Sequence, residues 1–461
     1  ILSGLVGSEM CIRDRTTIEG GVTALPTASY SATIPLQSAG NTQITASNDT
    51  DSNNDYDPQM YRYGLAVSNL STQLNPIVGL VYTGKGTGVR SYFQRVSIDR
   101  TALPGGSSSG VVENGTSLEQ TNADSQDFSI NKLNDGSWFT VGGAATTGSF
   151  DVLFTKINDS TTAPSISGSG ILLTSFSNTT ERAIEVSTTK PFDDIGTTRI
   201  GLAFVRRDTS NSNRYLTIAK INPNGTTTNS VLDDLYYGVS TSGGYSRFQM
   251  PVTTAGLDRV RIRWIAESNN GYFYVAYREG ADLKMLKLSS HYSSGYNQTS
   301  AIVTSSAFAI ADTASSNQQS LDLALGEVSG STIAAVVYRN SSGDCYFRHV
   351  NSSLQASTAV KFGSTPCYNP SVHYSNSGRF VVTYAERQVS PSTKYDIKTT
   401  EFTIGSTADT YSTPVKVVAD LSTYPVKLVT DYYSTGNWMA IFYRLYSDSI
   451  LRFHGYHVPG R

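Results

Sequence analysis

One pattern constrains the fold of this chain more than any other. An apolar segment that follows a turn and ends near an aromatic residue, often with arginine next, recurs seven times. The copies are Ile77–Thr83, Ser137–Gly143, Ile200–Arg206, Tyr272–Arg278, Ile333–Arg339, Phe380–Arg387 and Trp438–Arg444. Aligned on Tyr82, Val141, Val205, Tyr277, Tyr338, Tyr384 and Tyr443, they lie 59, 64, 72, 61, 46 and 59 residues apart. A period of tens of residues is typical of repeat architectures.

The composition predicts sheets rather than helices. Hydrophobic residues make up 38% of the 461, and the chain contains 28 Tyr and 39 Gly among many Ser, Thr and Asn residues. β-Branched and aromatic residues separated by polar turns are typical of β-structure. The net charge of -2, without any run of like charge, argues against nucleic acid or an anionic membrane as the main partner. No apolar stretch is long enough to span a bilayer.

The better copies sit in predicted four-stranded units. The fifth unit has predicted strands at Ser320–Val328, Thr332–Arg339, Cys345–Val350 and Ala359–Phe362. The sixth has predicted strands at Ser371–Ser375, Phe380–Tyr384, Tyr395–Phe402 and Val415–Ala419. Asn, Ser and Gly between them supply the positive φ angles that tight hairpins need.

The last unit lacks a fourth strand. It offers Val426–Tyr433, Trp438–Arg444 and Ile450–Val458, after which the chain stops at Arg461. Tyr30–Leu36 has strand alternation and precedes the first full unit. We expect it to supply the missing edge, because open sheet edges are a liability. The alternative is a disordered arm.

The repeat of four-stranded units resembles β-propeller proteins, over roughly residues 28–461. The resemblance implies an all-β fold: a seven-bladed β-propeller of four-stranded antiparallel blades, with residues 29–461 including the N-terminal closing strand. If the second or third copy is an insertion, six blades remain. The Ser/Thr/Asn/Gly/Tyr-rich, lysine-poor composition is also similar to that of phage tail and virion-surface proteins and of secreted bacterial surface propellers.

The first fifteen residues are set apart from the fold. Glu9–Arg15 (EMCIRDR) resembles a translated sequencing adapter, and the chain begins with Ile. We therefore expect residues 1–15 to be an artefact of sequence assembly, with residues 16–28 as a linker or arm and with upstream sequence, such as a signal peptide, missing. The alternative is a genuine N-terminus.

Arginines at the ends of the second strands are candidate ligand-binding residues. The set comprises Arg206, Arg278, Arg339 and Arg444, together with the aromatic residues Tyr277, Tyr338 and Tyr443. In a propeller these strand ends share one face, where arginines suit carboxylate or sulfate groups and tyrosine rings suit sugars. The alternative is that the tyrosines pack between blades and the arginines cap strand ends.

An acidic stretch is a candidate calcium loop. Its alternating oxygen ligands would be Asp49, Asp51, Asn53, Asp55 and Asp57. Asn54 stands where the helix-loop-helix calcium loop has glycine, and no glutamate closes the loop at Met60. The alternative is a solvated acidic linker, and no other cofactor is expected.

Cys345 and Cys367 are candidates for a disulfide. Cys345 begins a predicted third strand, and Cys367 follows the fourth strand of the same unit. Neighbouring strands bring such residues within disulfide range if the register agrees. The alternative is two buried free thiols.

No catalytic set stands out in the sequence. The nearest stretch to a sialidase Asp-box, Asn134–Trp138, has the wrong spacing, and the histidines share no ligand or triad spacing. We therefore expect a non-enzymatic module at a virion or cell surface that binds a glycan or a protein partner through one face. The alternatives are a sialidase-like or other glycan-active propeller hydrolase, and a structural subunit of a phage tail or extracellular filament, assembled into a larger particle.

Overall fold

The computed structural model shows an all-β protein. It describes residues 29–34, 37–38, 42–43, 64–67, 77–85, 89–98, 111–114, 118–121, 128–146, 149–159, 165–166, 171–174, 181–194, 196–208, 214–226, 232–237, 259–267, 270–279, 282–290, 302–303, 321–340, 342–364, 366–375, 378–389, 394–405, 408–433, 438–445 and 451–457. Every regular element in these ranges is a β-strand. None of them contains a helix that could cross a membrane.

Most of the described strands form seven antiparallel sheets, numbered here in chain order. Sheet 1 contains β4 (Gly64–Val67), β5 (Ile77–Lys85), β6 (Val89–Ile98), β7 (Val111–Asn114) and β8 (Leu118–Thr121). Sheet 2 contains β9 (Phe128–Lys132), β10 (Trp138–Thr146), β11 (Ser149–Asn158), β12 (Ser165–Ile166) and β13 (Ile171–Thr174). Sheet 3 contains β14 (Glu181–Thr188), β15 (Phe192–Asp194), β16 (Thr197–Asp208), β17 (Arg214–Ile221) and β18 (Leu232–Tyr237).

The remaining sheets follow the same plan. Sheet 4 contains β19 (Arg259–Glu267), β20 (Asn270–Glu279), β21 (Asp282–Ser289) and β22 (Ile302–Val303). Sheet 5 contains β23 (Leu321–Val328), β24 (Ser331–Arg339), β25 (Cys345–Asn351) and β26 (Val360–Phe362). Sheet 6 contains β27 (Cys367–Ser375), β28 (Arg379–Arg387), β29 (Tyr395–Thr403), β30 (Thr410–Tyr411) and β31 (Val415–Leu421). Sheet 7 contains β32 (Pro425–Tyr433), β33 (Trp438–Leu445), β34 (Leu451–His457) and β1 (Ser29–Ile34), while β2 (Gln37–Ser38) and β3 (Thr42–Gln43) pair separately.

Each of the seven sequence copies forms the second strand of a different sheet. The strands are β5, β10, β16, β20, β24, β28 and β33. Each lies between a first strand and a third strand, so its backbone is paired on both sides. The predicted all-β, antiparallel fold is therefore confirmed among the described residues.

The second strands are apolar because both of their faces are covered. In β24, seven consecutive residues from Thr332 to Tyr338 are buried. Ala335 and Val337 belong to a core shared with sheet 6, whereas Ala334 and Val336 belong to one shared with sheet 4. Continuous burial of this kind is typical of strands that pack on both sides. By contrast, β31 is exposed or half-buried along most of its length.

The hairpin between β23 and β24 shows why the turn residues stand where they do. Ser329 and Gly330 have φ angles of +51° and +76°. Positive φ at both central residues is the geometry of a type I′ turn, which matches the twist of the flanking strands. The strand bounds in sheet 5 agree with the sequence prediction to within one residue at either end.

The first strands of the sheets are neighbours in chain order. The contacting pairs are β4 with β9, β9 with β14, β14 with β19, β19 with β23, β23 with β27, β27 with β32 and β32 with β4.

At the other edge of sheet 7, β1 pairs with β34 over six residues, from Ser29 opposite Tyr456 to Ile34 opposite Leu451. Residues 1–28, which include the expected artefact and linker, lie outside the described residues.

A buried histidine in sheet 7 makes stability depend on pH. His454 is 5% exposed, and it pairs with Ser31 of β1. Burial lowers the pKa of His454 to about 4. The unfolded chain, with a histidine pKa of ~6.5, then binds a proton that the folded chain does not. The free energy of unfolding should therefore fall as the pH drops from about 6.5 towards 4.

The measurement is urea unfolding of the wild type and of His454→Gln at pH 7 and pH 5. The variant should lose part of the decrease between the two pH values. An equal pH dependence in both proteins would contradict a role for His454.

Candidate functional site

A cavity of about 520 Å³ lies where the first strands converge. We call it the first-strand cavity. Its walls come from β9, β14 with the residues just after it, β19, β23, β27 and β32. Its polar and aromatic lining includes Ser129, Asn131, Thr188, Lys190, Arg261, Arg263, Trp264, Asp322, Ser371, His373, Tyr374, Thr430 and Asp431.

The strand register brings polar side chains of several sheets to equivalent positions. Arg263 pairs with Tyr274, His373 with Val381 and Asp431 with Ala440. Each of these partners stands three residues before the aligned tyrosine of its second strand. Arg261 and Asp322 likewise pair with residues directly before Tyr277 and Tyr338. Two rows of polar side chains therefore run across neighbouring first strands.

Buried ion pairs link three of these strands. Glu185 of β14 is fully buried and accepts hydrogen bonds from Arg259 Nη1, at 3.0 Å, and from Arg261 Nη1. Asp322 of β23 pairs with Arg263 Nη2 at 3.2 Å and lies 3.8 Å from Arg261 Nε. Buried charges persist only when they are paired and hydrogen-bonded, as these are.

Asp322 is also the end of a hydrogen-bond chain. Its Oδ2 accepts a bond from Ser371 Oγ at 2.8 Å and from the Val372 amide at 3.0 Å. Thr430 Oγ1 donates to Ser371 Oγ at 2.7 Å. His373 Nε2 lies 2.7 Å from Thr430 Oγ1 and joins the same chain. Sheets 4 to 7 are thus connected through the cavity wall.

The surroundings set the protonation states of the central groups. Burial alone would raise the pKa of the Asp322 carboxyl, but Arg263 and Arg261 hold this pKa below its usual value. Burial lowers the pKa of His373, and the nearby Asp431 and Asp322 oppose this effect only in part. At neutral pH, Asp322 is therefore ionised and His373 is neutral.

The exposed charge of the cavity is mainly positive. The side chain of Lys190 is 62% exposed and that of Arg263 is 31% exposed. The carboxylates are more deeply buried, with Asp431 at 14% and Asp322 at 12%. Lys190 Nζ lies 3.7 Å from Asp431 Oδ1 at this edge.

The tyrosines that the sequence analysis assigned to a ligand surface have a different position. Tyr277, Tyr338 and Tyr443 are 2%, 0% and 6% exposed. Strand alternation turns their side chains towards neighbouring sheets, and each belongs to a hydrophobic cluster. In this arrangement they pack against protein, which corrects the expectation that their rings face a sugar.

The predicted arginines do not form one exposed set. Arg278 is 8% exposed, and the side chains of Arg206 and Arg444 lie outside the described part of the chain. Arg339 is half-buried, with its guanidinium carbon 5.0 Å from the ring centre of Tyr368. Tyr368 packs in turn against Tyr395 and Tyr424, at 5.9 and 5.4 Å between ring centres. We call these four residues the Arg339 cluster.

The remaining predicted sites are the disulfide and the calcium loop. Cys345 and Cys367 form a disulfide with their Cα atoms 5.8 Å apart. Cys345 begins the third strand of sheet 5, and Cys367 begins the first strand of sheet 6, so the bond joins two sheets rather than strands of one unit. Asp49, Asp51, Asn53, Asp55 and Asp57 lie outside the described residues. Within the described ranges, no group of three or more His, Cys, Asp or Glu side chains could hold a metal ion.

Sequence reasoning missed the cavity residues because it concentrated on second strands. One indication was present in β19, whose segment Arg259–Trp264 (RVRIRW) carries arginine at every second position. Alternate residues of a strand share a face, so three arginines on one side of an otherwise apolar strand indicate a polar wall. The residues Asp322, His373 and Asp431 carry no such local pattern.

Comparisons with known proteins give only distant similarities. No family model matches the chain, and no curated protein matches it in sequence. The similar solved structures include the polysaccharide lyase Uly1, at 8% identity and TM-score 0.45, covering 93% of this chain and 99% of that one. They also include the Aleuria aurantia lectin, a fungal six-bladed β-propeller that recognises fucose, at 8% identity and TM-score 0.40, covering 77% of this chain and 96% of that one. A Bacillus subtilis levansucrase variant has 9% identity and TM-score 0.32, covering 62% and 83%. All three TM-scores lie below 0.5.

Proposed function

We propose that the chain is a seven-bladed β-propeller binding module that holds a saccharide in the first-strand cavity. The observation that carries the proposal is the cavity itself, which is lined by converging polar side chains on six first strands. Its volume of about 520 Å³ lies within the ~300–1,000 Å³ typical of small-molecule sites.

Two features support a closed ring of seven blades. The first strands contact one another in chain order, and β32 contacts β4, so the last sheet meets the first. β1 adds a fourth strand to sheet 7 and covers the outer edge of β34. Closure of this kind removes exposed sheet edges and lets one domain reach this size.

The cavity wall has the mixture of groups that sugars require. The Thr188 hydroxyl lies 2.6 Å from the Ser129 hydroxyl and 3.0 Å from the amide nitrogen of Asn131. Trp264 and Tyr374 also line the cavity and add aromatic surface. Saccharides combine hydrogen-bonding hydroxyls with apolar ring faces, and sites with a few convergent polar groups beside aromatic rings suit them.

A glycan-active hydrolase is the second candidate, because Asp322 and Asp431 line one cavity. A glycosidase needs one carboxyl group with a raised pKa to act as the acid. The pKa of Asp322 is instead lowered, and Asp431 lies beside Lys190. These environments favour binding over glycosidic cleavage.

The proposed location is a virion or cell surface. The Cys345–Cys367 disulfide supports an oxidising environment, where such bonds persist. A structural subunit of a tail or filament, assembled into a larger particle, is the outcome if no saccharide binds.

A saccharide array tests the proposal, with residues 16–461 screened with and without calcium. We expect selective binding that Lys190→Trp weakens at least tenfold, because the new ring would obstruct the cavity at an exposed position. Lys361→Trp is the matched control, since Lys361 is also an exposed lysine paired with an aspartate, Asp344, but lies outside the cavity. An array without binding, or equal effects of the two variants, would contradict the proposal.

A further inference from the structure

We propose that the first-strand cavity selects anionic saccharides and places a carboxylate or sulfate group against Arg263 and Lys190. This inference rests on the proposed function, since it names the class of saccharide that the same cavity takes. Three features of the cavity point to an anion: the balance of charge in the wall, the donors of Arg263 and the positions of the carboxylates.

The charged side chains that line the cavity favour an anion. Three cations, Lys190, Arg261 and Arg263, stand against two carboxylates, Asp322 and Asp431. His373 adds no charge at neutral pH, because burial lowers its pKa. The wall therefore carries an excess of one positive charge among its described residues.

Arg263 has donors left for a ligand. A guanidinium has five N–H donors. Nη1 donates to the backbone oxygen of Ile262 at 3.0 Å, and Nη2 donates to Asp322 Oδ1 at 3.2 Å. Within the described residues these are the hydrogen bonds of this side chain. Its planar arrangement of donors matches carboxylate and sulfate groups.

The carboxylate nearest to Arg263 is already saturated by protein donors. Asp322 Oδ1 accepts from Arg263 and from the Leu323 amide, while Oδ2 accepts from Ser371 and the Val372 amide. The charge of Asp322 is thus neutralised by donors of the protein itself, and both of its carboxylate oxygens are occupied within the wall. A bound anion would meet the partly exposed guanidinium rather than a bare carboxylate.

The electrostatic state of Arg263 is consistent with this assignment. Burial and the neighbouring Arg261 lower the pKa of its guanidinium, and Asp322 and Asp431 oppose these effects only in part. The cation is therefore less stabilised than in water. A ligand anion would supply the missing stabilisation, which is how recessed cations gain affinity for anions.

The test uses three oligosaccharide probes of similar length on the folded chain, measured by isothermal titration calorimetry at pH 7. The probes are a neutral galacto-oligosaccharide, an oligogalacturonate with carboxylates, and a sulfated galacto-oligosaccharide. We expect one or both acidic probes to bind at least tenfold more tightly than the neutral one. The preference between them identifies carboxylate or sulfate as the group.

Two variants assign the preference to the cavity. Arg263→Gln should reduce affinity for the acidic probe by about tenfold to a hundredfold, as expected for loss of a charged hydrogen bond, and should leave the neutral probe unaffected. Lys190→Gln, at an exposed position, should also reduce affinity for the acidic probe, but by less. This second variant still tests the assignment if Arg263→Gln folds poorly. Arg95→Gln is the control, because Arg95 pairs with Asp159 at 2.8 Å outside the cavity.

The outcomes separate the two proposals. Equal binding of neutral and acidic probes, reduced by Lys190→Trp, would overturn the anionic preference and leave saccharide binding in place. Acidic binding that Arg263→Gln and Lys190→Gln leave unchanged would overturn the assignment to this cavity. Absence of binding by every probe and on the saccharide array would overturn both.

Discussion

Removal of residues 28–38 should lower the free energy of unfolding by about 3 kcal/mol or more, counting several ladder hydrogen bonds at ~0.5–1.5 kcal/mol each. The deletion removes β1, which pairs with β34 over six residues. It leaves sheet 7 with three strands, and β34 becomes an open edge. Urea unfolding followed by tryptophan fluorescence would measure the loss.

Two comparisons isolate the effect of β1. Deletion of residues 16–26, which lie within the expected linker at residues 16–28, should leave stability unchanged within error. The double substitution Ser31→Pro, Ala32→Pro should reproduce part of the loss, because in an edge strand one of two successive residues donates its N–H to the neighbouring strand and proline has no such donor. Identical unfolding of the wild type and the 28–38 deletion would mean that β1 contributes nothing to closure.

The second large effect is expected for Asp322→Ala. This substitution should destabilise the fold by about 3–5 kcal/mol, because it leaves Arg261 and Arg263 without their shared carboxylate in the cavity wall. It also removes the acceptor of the Ser371 hydroxyl and the Val372 amide. The change can be measured by urea unfolding at pH 7.

The stabilisation that the Asp322 carboxylate contributes depends on pH, and the sign follows from the lowered pKa of this group. A carboxyl whose pKa is lower in the folded state stabilises the fold fully above its unfolded pKa of ~3.9. That contribution is lost as the pH falls through the folded value, so the measurement at pH 7 captures all of it.

Asp409→Asn provides the control for Asp322→Ala. Asp409 pairs with His349 at 2.8 Å, and the aspartate side chain is 32% exposed. Exposed pairs contribute about 1 kcal/mol or less. Similar losses for the two substitutions would show that Asp322 does not connect the first strands.

Much of the sheet framework was predictable from the sequence. A strand buried on both faces needs a continuous apolar run, so the second strands stood out as repeats. The need to cover a sheet edge led to the expectation that Tyr30–Leu36 would join the last unit, and β1 pairs there at Ser29–Ile34. Backbone pairing and turn chemistry are local properties that the residues express directly.

The candidate site was less predictable because it depends on which way side chains turn. Tyrosine rings suit a ligand surface, yet neighbouring sheets cover Tyr277 and Tyr338. Asp322 and His373 lie more than fifty residues from Arg261 and Arg263, and only the register of separate sheets brings them together. Sequence spacing does not encode that register across sheets.

The most direct test of the account is a crystal structure of the chain with its tightest acidic oligosaccharide. If the first-strand cavity binds anionic saccharides, ligand density will lie inside it, with a carboxylate or sulfate within hydrogen-bond distance of Arg263. Density at the Arg339 cluster or on another surface, with an empty cavity, would contradict it.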